Sequence, residues 1–336
     1  MKKYWALVIA FFCFTSLPAW ASSVSGKITM EFDLSSHSRN KPVQLWIPYP
    51  VSDRDQHITK ISVNGDYDEQ AVYTDRKLQN PILFAKWEKG ANSRKLKFTF
   101  HSQRQEVKKN GFPEKEGSWN KNDFAMYLGA TKLGPIDGSV KELADKITAG
   151  KNTVLSKAKA IYDWTCKNTY RNPKTRGCGS GDVCKLLKDP GGKCGDISSI
   201  FIALMRAAEV PSREILGIRM GKKSIQDISK WQHCWAEFYL PGYGWVPADP
   251  ADVRKKMLVE KLKLSDPKTN YYREYFWGGI DAYRIKLSEG RDLILNPEQH
   301  GAAINYLMYP LAQVGKKTID WLDPETFKYK ITYQQN

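Results

Sequence analysis

Apolar positions recur along the chain in two rhythms. Between residues 22 and 107 the period is two. Lys27-Ile28-Thr29-Met30-Glu31-Phe32-Asp33-Leu34, Val43-Gln44-Leu45-Trp46-Ile47 and Lys95-Leu96-Lys97-Phe98-Thr99-Phe100 each alternate apolar with polar, as strands with one buried face do. Asn64-Gly65 and Lys89-Gly90 mark turns, and Pro48 and Pro50 end a strand. Several short strands with no helix between them predict an all-β, sandwich-like N-terminal domain. From residue 139 the period lengthens to three and four. Ser139 with Glu142 reads as a capping box opening a helix to about Ala149. A second helix is predicted from Thr153 to Lys167, with Leu155, Ala158, Ile161, Tyr162 and Thr165 on its apolar face. A third starts at Cys194, carries Ile197, Ile200, Phe201, Leu204, Met205 and Ala208 on one face, and stops at Val210-Pro211.

Strand patterns return after this third helix, at Glu214 to Met220, Cys234 to Leu240 and Trp245 to Pro247. The last two flank a Pro241-Gly242-Tyr243-Gly244 turn and read as a hairpin. Residues 108–138 are polar, basic and broken by Gly and Pro, which predicts a linker or an arm across the next domain. Residues 265–280 are aromatic and irregular, and 281–336 alternate again, as in Tyr283-Arg284-Ile285-Lys286-Leu287. The expected division is therefore 22–107 sandwich-like, 108–138 arm, 139–264 mixed α+β core and 265–336 β-rich C-terminal extension.

The first 21 residues stand apart. Met1-Lys2-Lys3, an apolar run from Trp5 to Phe14 and Ala19-Trp20-Ala21 make the basic start, apolar core and small-residue cleavage site of a bacterial secretory signal peptide. Cleavage is expected after Ala21, and the periplasm or the medium is the expected compartment. The full chain carries a net charge of +16, and removal of the leader takes Lys2 and Lys3 but no acid, so the remainder stays strongly basic. That balance favours contact with anionic surfaces such as a cell envelope. Nucleic acid is excluded as a partner, since no recognisable binding motif accompanies the charge.

Of six cysteines, Cys13 lies in the leader, which leaves the odd set Cys166, Cys178, Cys184, Cys194 and Cys234. In an oxidising compartment an odd set leaves one thiol unpaired or paired between chains. With Cys194 free, the other four allow three pairings; a local Cys178–Cys184 disulfide is the plausible one, and Cys166 would then pair with Cys234. A zinc site from these thiols and His233 competes with that account, but the spacings form no paired Cys-x-x-Cys knuckles.

Candidate chemistry gathers on three stretches. In Gly191-Gly192-Lys193-Cys194-Gly195-Asp196 a thiol stands at a helix N-terminus, where free N–H groups and the positive dipole end favour the thiolate. Alone it is equally a buried cysteine on a core helix. The hairpin adds His233, in His-Cys-Trp-Ala-Glu, and Asp249, in Gly-Trp-Val-Pro-Ala-Asp-Pro. Neighbouring strands can bring these two together, so that the imidazole takes the thiol proton and the carboxylate fixes its tautomer. Asp196 reads as a cap of the Cys194 helix. The Cys194 N–H is one candidate oxyanion donor, and a second is expected from the preceding segment, at Tyr170 or in the 176–181 loop.

The three motifs, in this order, resemble the transglutaminase-like superfamily over roughly residues 140–255. The resemblance implies a papain-like α+β core, with the cysteine helix packed on an antiparallel sheet that carries His and Asp. It implies Cys194 as nucleophile, His233 as base and Asp249 as orienting acid. The expected function is that of an exported cysteine-dependent amide hydrolase or acyltransferase working through a thioester. Hydrolysis is favoured, because no acidic calcium loop of the EF-hand kind is present. No cofactor or metal is expected, and a protein or peptide substrate is, with cell-envelope peptides the class the compartment suggests. The competing function is a non-catalytic envelope-binding or scaffold protein that keeps the fold.

Overall fold

Alternation along the N-terminal strands becomes a two-layer β structure in the computed structural model, which describes residues 22–336. The expected signal peptide, residues 1–21, and Cys13 within it lie outside the described residues. Six strands come first: β1 (Ser23–Asp33), β2 (Val43–Pro48), β3 (Gln56–Gly65), β4 (Glu69–Thr74), β5 (Pro81–Trp87) and β6 (Lys95–Gln105). They divide between two five-stranded antiparallel sheets. Register places Ile28 opposite Phe100, Met30 opposite Phe98 and Phe32 opposite Leu96, all pointing inward. Val43, Leu45, Ile47, Leu83 and Ala85 of the second sheet meet them in one cluster. Each such fully buried large side chain contributes about 1.5–3 kcal/mol of transfer free energy.

The sandwich is finished from the far end of the chain. Strand Lys328–Gln335 runs antiparallel along β1 from Gly26 to Asp33, and strand Leu311–Val314 pairs with β2. The C-terminal segment, expected as an extension of its own, thus supplies strands to the N-terminal sheets. Its alternation is the ordinary signature of a half-buried strand, and nothing local in such a pattern says which sheet the strand joins.

The α+β part lies between these chain ends. Helices α1 (Gly138–Thr148) and α2 (Val154–Asn168) precede α3 (Cys194–Ala207). After α3 come β7 (Ser212–Arg219), β8 (Gln232–Leu240), β9 (Gly244–Ala248), α4 (Pro250–Glu260), α5 (Pro267–Tyr275) and β10 (Arg284–Glu289). The four strands form one antiparallel sheet in the order β9-β8-β7-β10. The fold is α+β, with the cysteine helix on an antiparallel sheet as expected.

Several local features differ from the sequence reading. Helix α1 starts at Gly138 behind Asp137, with no side-chain cap from Ser139, whereas α2 has its full capping box between Thr153 and Ser156. Every residue of α3 is buried, not one face only. The sheet covers one side through Ala236, Phe238 and Val246, while α1 and α2 cover another through Val140, Ala144, Ile161 and Tyr162. Two polar α3 positions are satisfied internally: Arg206 donates to the carbonyls of Ser212 and Gly129, and Arg291 reaches Ser199. Segment 265–280, expected as irregular, holds α5, whose Asp266-Pro267 start is an N-cap with proline at the first helical position. The 108–138 segment crosses the α+β part. Its Glu116 accepts from the N–H groups of Val154 and Leu155 at 2.9 and 2.7 Å, and Phe124 stacks at 4.2 Å on Tyr239. No helix among the described residues is long and apolar enough to cross a membrane.

Candidate active site

Cys194 is the first residue of α3, so its N–H has no intrahelical acceptor and its thiol stands at the positive end of the helix dipole. The approach is built from small residues. A Cβ on Gly192 would come within 2.3 Å of Asp196 Oδ2 and 2.4 Å of Asp196 Cβ, so only glycine passes there. Asp196 fastens this entry, accepting from the Lys193 N–H at 3.2 Å and from the Gly181 N–H at 2.8 Å. Its role is to cap α3 and anchor the preceding loop.

His233 sits on β8, opposite Gly217 of β7. Its Nε2 lies 2.8 Å from Asp249 Oδ2, and both residues are buried. Nδ1 is then the ring nitrogen left for the Cys194 side. Asp249 ends the hairpin and is the N-cap of α4, where its Oδ1 accepts from the Asp252 N–H at 2.8 Å. One carboxylate therefore caps a helix with one oxygen and holds the imidazole with the other. The structure brings Cys194, His233 and Asp249 together.

Other groups at the site are not legible in the three motifs. Cys178 and Cys234 face the Cys194 thiol. Contacts from Cys178, Cys234 and His233 hold that thiol well below its usual range, against the opposing effect of burial. The cost appears on the neighbours: Cys178 is pushed well up by its contact with Cys194 and by burial, and Cys234 by burial and by Cys194. The negative charge belongs on Cys194, because that sulfur alone has both the helix N-terminus and His233.

The expected disulfides are absent among the described residues, where all five cysteines are free. Cys178 is buried, with the Tyr309 hydroxyl 3.2 Å from its sulfur, whereas Cys184 is exposed on a short turn of helix, Val183–Leu186. Cys166 packs with α1 and α2, and Cys234 packs with Cys194 in a different cluster. Period-two alternation predicts that Cys234 points away from His233 and the site. It follows His233 directly on β8, yet both side chains contact the Cys194 thiol.

Arg284 of β10 lies behind the imidazole, fully buried. Its Nη1 donates to Asp249 Oδ2, its Nη2 to Asp252 Oδ2 at 2.8 Å, and Asp281 completes the set at 3.0 Å. Arg219 pairs with Asp252 and Asp281. Burial pushes Asp252 up, but Arg219, His233 and Arg284 outweigh it and hold the carboxyl well below the usual range. One Asp252 oxygen keeps no hydrogen-bond partner and faces His233 Nε2 at 3.8 Å. Donor atoms of His233, Asp249 and Asp252 lie within 4.8 Å of one another, the spacing of a cation site. Arg284, forked across the two carboxylates, already supplies the positive charge there.

Two hollows open on this centre. One, of about 320 Å³, has Cys194, Cys178 and Gly177 in its wall together with Tyr309, Trp321 and Phe327. The other, of about 690 Å³, has His233 and Asp252 in its wall beneath Trp231, Tyr271 and Tyr275. Arg171, Lys230 and Gln232 line both. Of the segments expected to bring a second oxyanion donor, the 176–181 loop borders the thiol. The Tyr170 hydroxyl is turned to Asp189, at 2.8 Å. Another hollow, of about 710 Å³, lies against the sandwich between Glu31, Lys97 and Lys330 and holds neither a thiol nor an imidazole.

The family model described as the transglutaminase-like superfamily matches residues 141–250, the span from α1 to the start of α4. An uncharacterized protein of Haemophilus influenzae is 38% identical over 311 residues, which are 85% of this chain and 84% of the relative. YebA of Bacillus subtilis, also uncharacterized, is 30% identical over 125 residues, 33% of this chain and 17% of its own length. Among solved structures, a candidate cysteine protease of Cytophaga hutchinsonii aligns with 94% of this chain and 92% of its own at a TM-score of 0.56. At 16% identity that likeness speaks to the fold alone. From the motif-bearing core, the near full-length relative and the shared architecture together, the chain belongs to the transglutaminase-like superfamily.

Proposed function

We propose that this protein is an exported cysteine-dependent enzyme that cleaves amide bonds through a thioester, with Cys194 as nucleophile, His233 as base and acid, and Asp249 as the group that orients His233. The observation that carries the reading is the 2.8 Å contact of His233 Nε2 with Asp249, which leaves Nδ1 for a thiol that its surroundings already favour as thiolate. Membership of the superfamily supports a cysteine-dependent enzyme in general, and the basic, apolar-cored leader supports export.

In this mechanism the Cys194 sulfur bonds to the amide carbonyl carbon. The carbonyl oxygen takes negative charge beside the Cys194 N–H. The C–N bond then breaks, and the amine leaves with the proton from the His233 imidazolium. Water attacks the thioester and gives its proton to His233. The S–C bond breaks, the carboxylic acid departs and loses its proton to solvent, and the thiolate–imidazolium pair is restored. An amine in place of water would give transamidation, and hydrolysis is the preferred outcome because water is always present. The proposed substrates are proteins or peptides of the cell envelope.

The test is alkylation by iodoacetamide at mildly acidic pH, followed by assays for amine release from peptidoglycan and denatured protein and for incorporation of an amine donor. Cys194 is expected to react faster than free cysteine, and His233→Ala to abolish the difference. A Cys194 that reacts no faster than free cysteine, in the wild type and the variant alike, would leave the scaffold reading in place of the enzyme.

A further inference from the structure

The cleft around the thiol is lined by more cations than the protein itself neutralises. On the Cys194 side the wall carries Arg171, Arg176, Lys193 and Lys230, and no carboxylate side chain. On the His233 side it carries Arg171, Arg219, Lys222, Lys230, Lys255 and Lys256 against Glu106, Asp252 and Asp281. Those three acids are already engaged: Asp252 and Asp281 by Arg284 and Arg219, Glu106 by Lys108 at 3.0 Å. Arg176 is engaged by Asp320, and Lys256 by Glu260 at 3.6 Å.

Arg171, Lys193, Lys222, Lys230 and Lys255 remain without an ion pair among the described residues. Arg171 stands where the two hollows meet, and its Nη1 is buried with no hydrogen-bond acceptor. A buried guanidinium N–H without an acceptor costs about 1–3 kcal/mol or more, so it asks for an anion from outside. Lys255, on α4, is pushed down by burial and by Arg219, with Arg171 adding to the effect and Asp252 opposing it, as expected where cations crowd one another.

We propose that the substrate is an acidic peptide, whose carboxylates on either side of the reacting amide are received by Arg171 and Lys193 next to Cys194 and by Lys222 and Lys255 next to His233, with Lys230 between. The assignment deepens the proposed function and rests on Cys194 as nucleophile for the position of the reacting amide. A planar guanidinium takes a carboxylate through two parallel bonds, and the mobile lysines follow charge less specifically. Aromatic residues face these cations: Tyr309, Trp321 and Phe327 across from Lys193, and Trp231 and Tyr283 beside Lys222, whose Nζ lies 5.3 Å from the Tyr283 ring. Such a cleft suits a chain of carboxylates spaced by apolar groups. A nucleic acid would also be drawn to the charge, but its backbone offers the thiolate no amide carbonyl.

The test separates binding from chemistry. The full chain carrying Cys194→Ala is titrated with labelled peptides of one length in which the residues flanking a central amide are Glu, Gln or Lys. The Glu peptide is expected to bind about tenfold more tightly than the Gln peptide, with the Lys peptide weaker still and the preference shrinking as salt rises. Arg171→Gln and the surface double variant Lys222→Gln/Lys230→Gln should each reduce the preference about threefold to tenfold. Equal affinity for the Glu and Lys peptides, or an oligonucleotide of matched charge binding more tightly than the Glu peptide, overturns the assignment. Because the peptide series uses one protein, failure of a variant to fold does not touch it. Iodoacetamide labelling of wild-type Cys194 is run in parallel. Glu-peptide preference with an unreactive thiol refutes the enzyme and keeps the acidic ligand, whereas a reactive thiol without the preference refutes only the ligand class.

Discussion

Arg284 and His233 share one oxygen of Asp249. Arg284 Nη1 donates to Oδ2 and lies 3.3 Å from His233 Nε2, which holds the same oxygen at 2.8 Å. The orienting carboxylate is therefore itself oriented, by a fully buried fork that also reaches Asp252. Arg284→Met should destabilise the fold by about 3–5 kcal/mol, since it leaves the buried Asp249 without its guanidinium and Asp252 and Asp281 with Arg219 alone. Arg284→Lys keeps the charge but loses the fork and should cost about 1–3 kcal/mol. Urea unfolding measures both. A second readout isolates positioning: Arg284→Lys, where folded, should slow Cys194 alkylation at mildly acidic pH. An unchanged rate would mean that Arg284 only stabilises.

Asp249 has two functions that substitution can separate. Asp249→Asn keeps an oxygen for the α4 cap but loses the charge that supports the imidazolium. Amide turnover should fall by about 10²–10⁴-fold, and stability by about 1–3 kcal/mol, because the buried Arg284 loses one of its carboxylate acceptors. Asp249→Ala should lose the same activity and about 1 kcal/mol of cap energy besides. Turnover and thermal unfolding of the two variants, side by side, check the distinction.

Stability should fall in acid in a particular window. The folded-state carboxyl of Asp252 lies well below its ordinary value of 3.8. Its contribution to stability is therefore fully present above about pH 4 and is lost as pH falls from there through the lower folded-state value. Asp252→Asn should flatten that acid limb of the urea midpoint against pH. An acid limb as steep as in the wild type would assign it to other carboxylates.

Thiol labelling should read exposure and thiolate character together, since Cys178 and Cys194 are both buried in the wall of one hollow but are pushed in opposite directions. In the native protein Cys184, which is exposed, should react with any alkylating reagent, and Cys194 should react with small ones that enter its hollow. Cys166, pushed up to about 12 by burial, and the buried Cys178 and Cys234 should react only after denaturation. Peptide mapping after native and denatured labelling distinguishes the two groups.

Gly192→Ala should damage the site without touching its chemistry. The added Cβ meets the Asp196 Cβ and carboxylate closer than any contact allows, and Asp196 is buried and tied to Lys193 and Gly181. A loss of about 1–3 kcal/mol is expected, with slower Cys194 alkylation as the start of α3 shifts.

The three motif residues are legible in the sequence because each sits in a local context with its own physical reason. Cys194 opens a periodic helix, His233 alternates on a strand, and Asp249 follows a tight hairpin. Helices α4 and α5 carry the legible signal of Asp followed by Pro at Asp249-Pro250 and Asp266-Pro267. The charged and aromatic composition around them blurs their periodicity. Arg284 is not legible. In Tyr283-Arg284-Ile285-Lys286-Leu287 it occupies a position that reads as solvent-facing, and only the pairing of β10 with β7 turns it into the charge cluster. Cys178 and Cys234 mislead for a related reason: sequence spacing suggests bonds, whereas tertiary placement sets their sulfurs around a third. The strands after residue 290 declare their type but not their sheet, because pairing partners hundreds of residues away leave no local mark.

The strand Lys328–Gln335 lies between β1 and the short strand Ile225–Asp227, and β10 lies at the edge of the sheet that holds His233. Both arrive late from the ribosome, long after the segments they complete. Until they arrive, β1 has an open edge and the acid beside His233 has no guanidinium. Such long-range closures make assembly slow relative to local helix formation. They also act as a timer: a chain interrupted between residues 194 and 284 carries Cys194 but lacks the fork behind its partners, so a reactive thiol is expected only in molecules whose synthesis and folding have run nearly to the end.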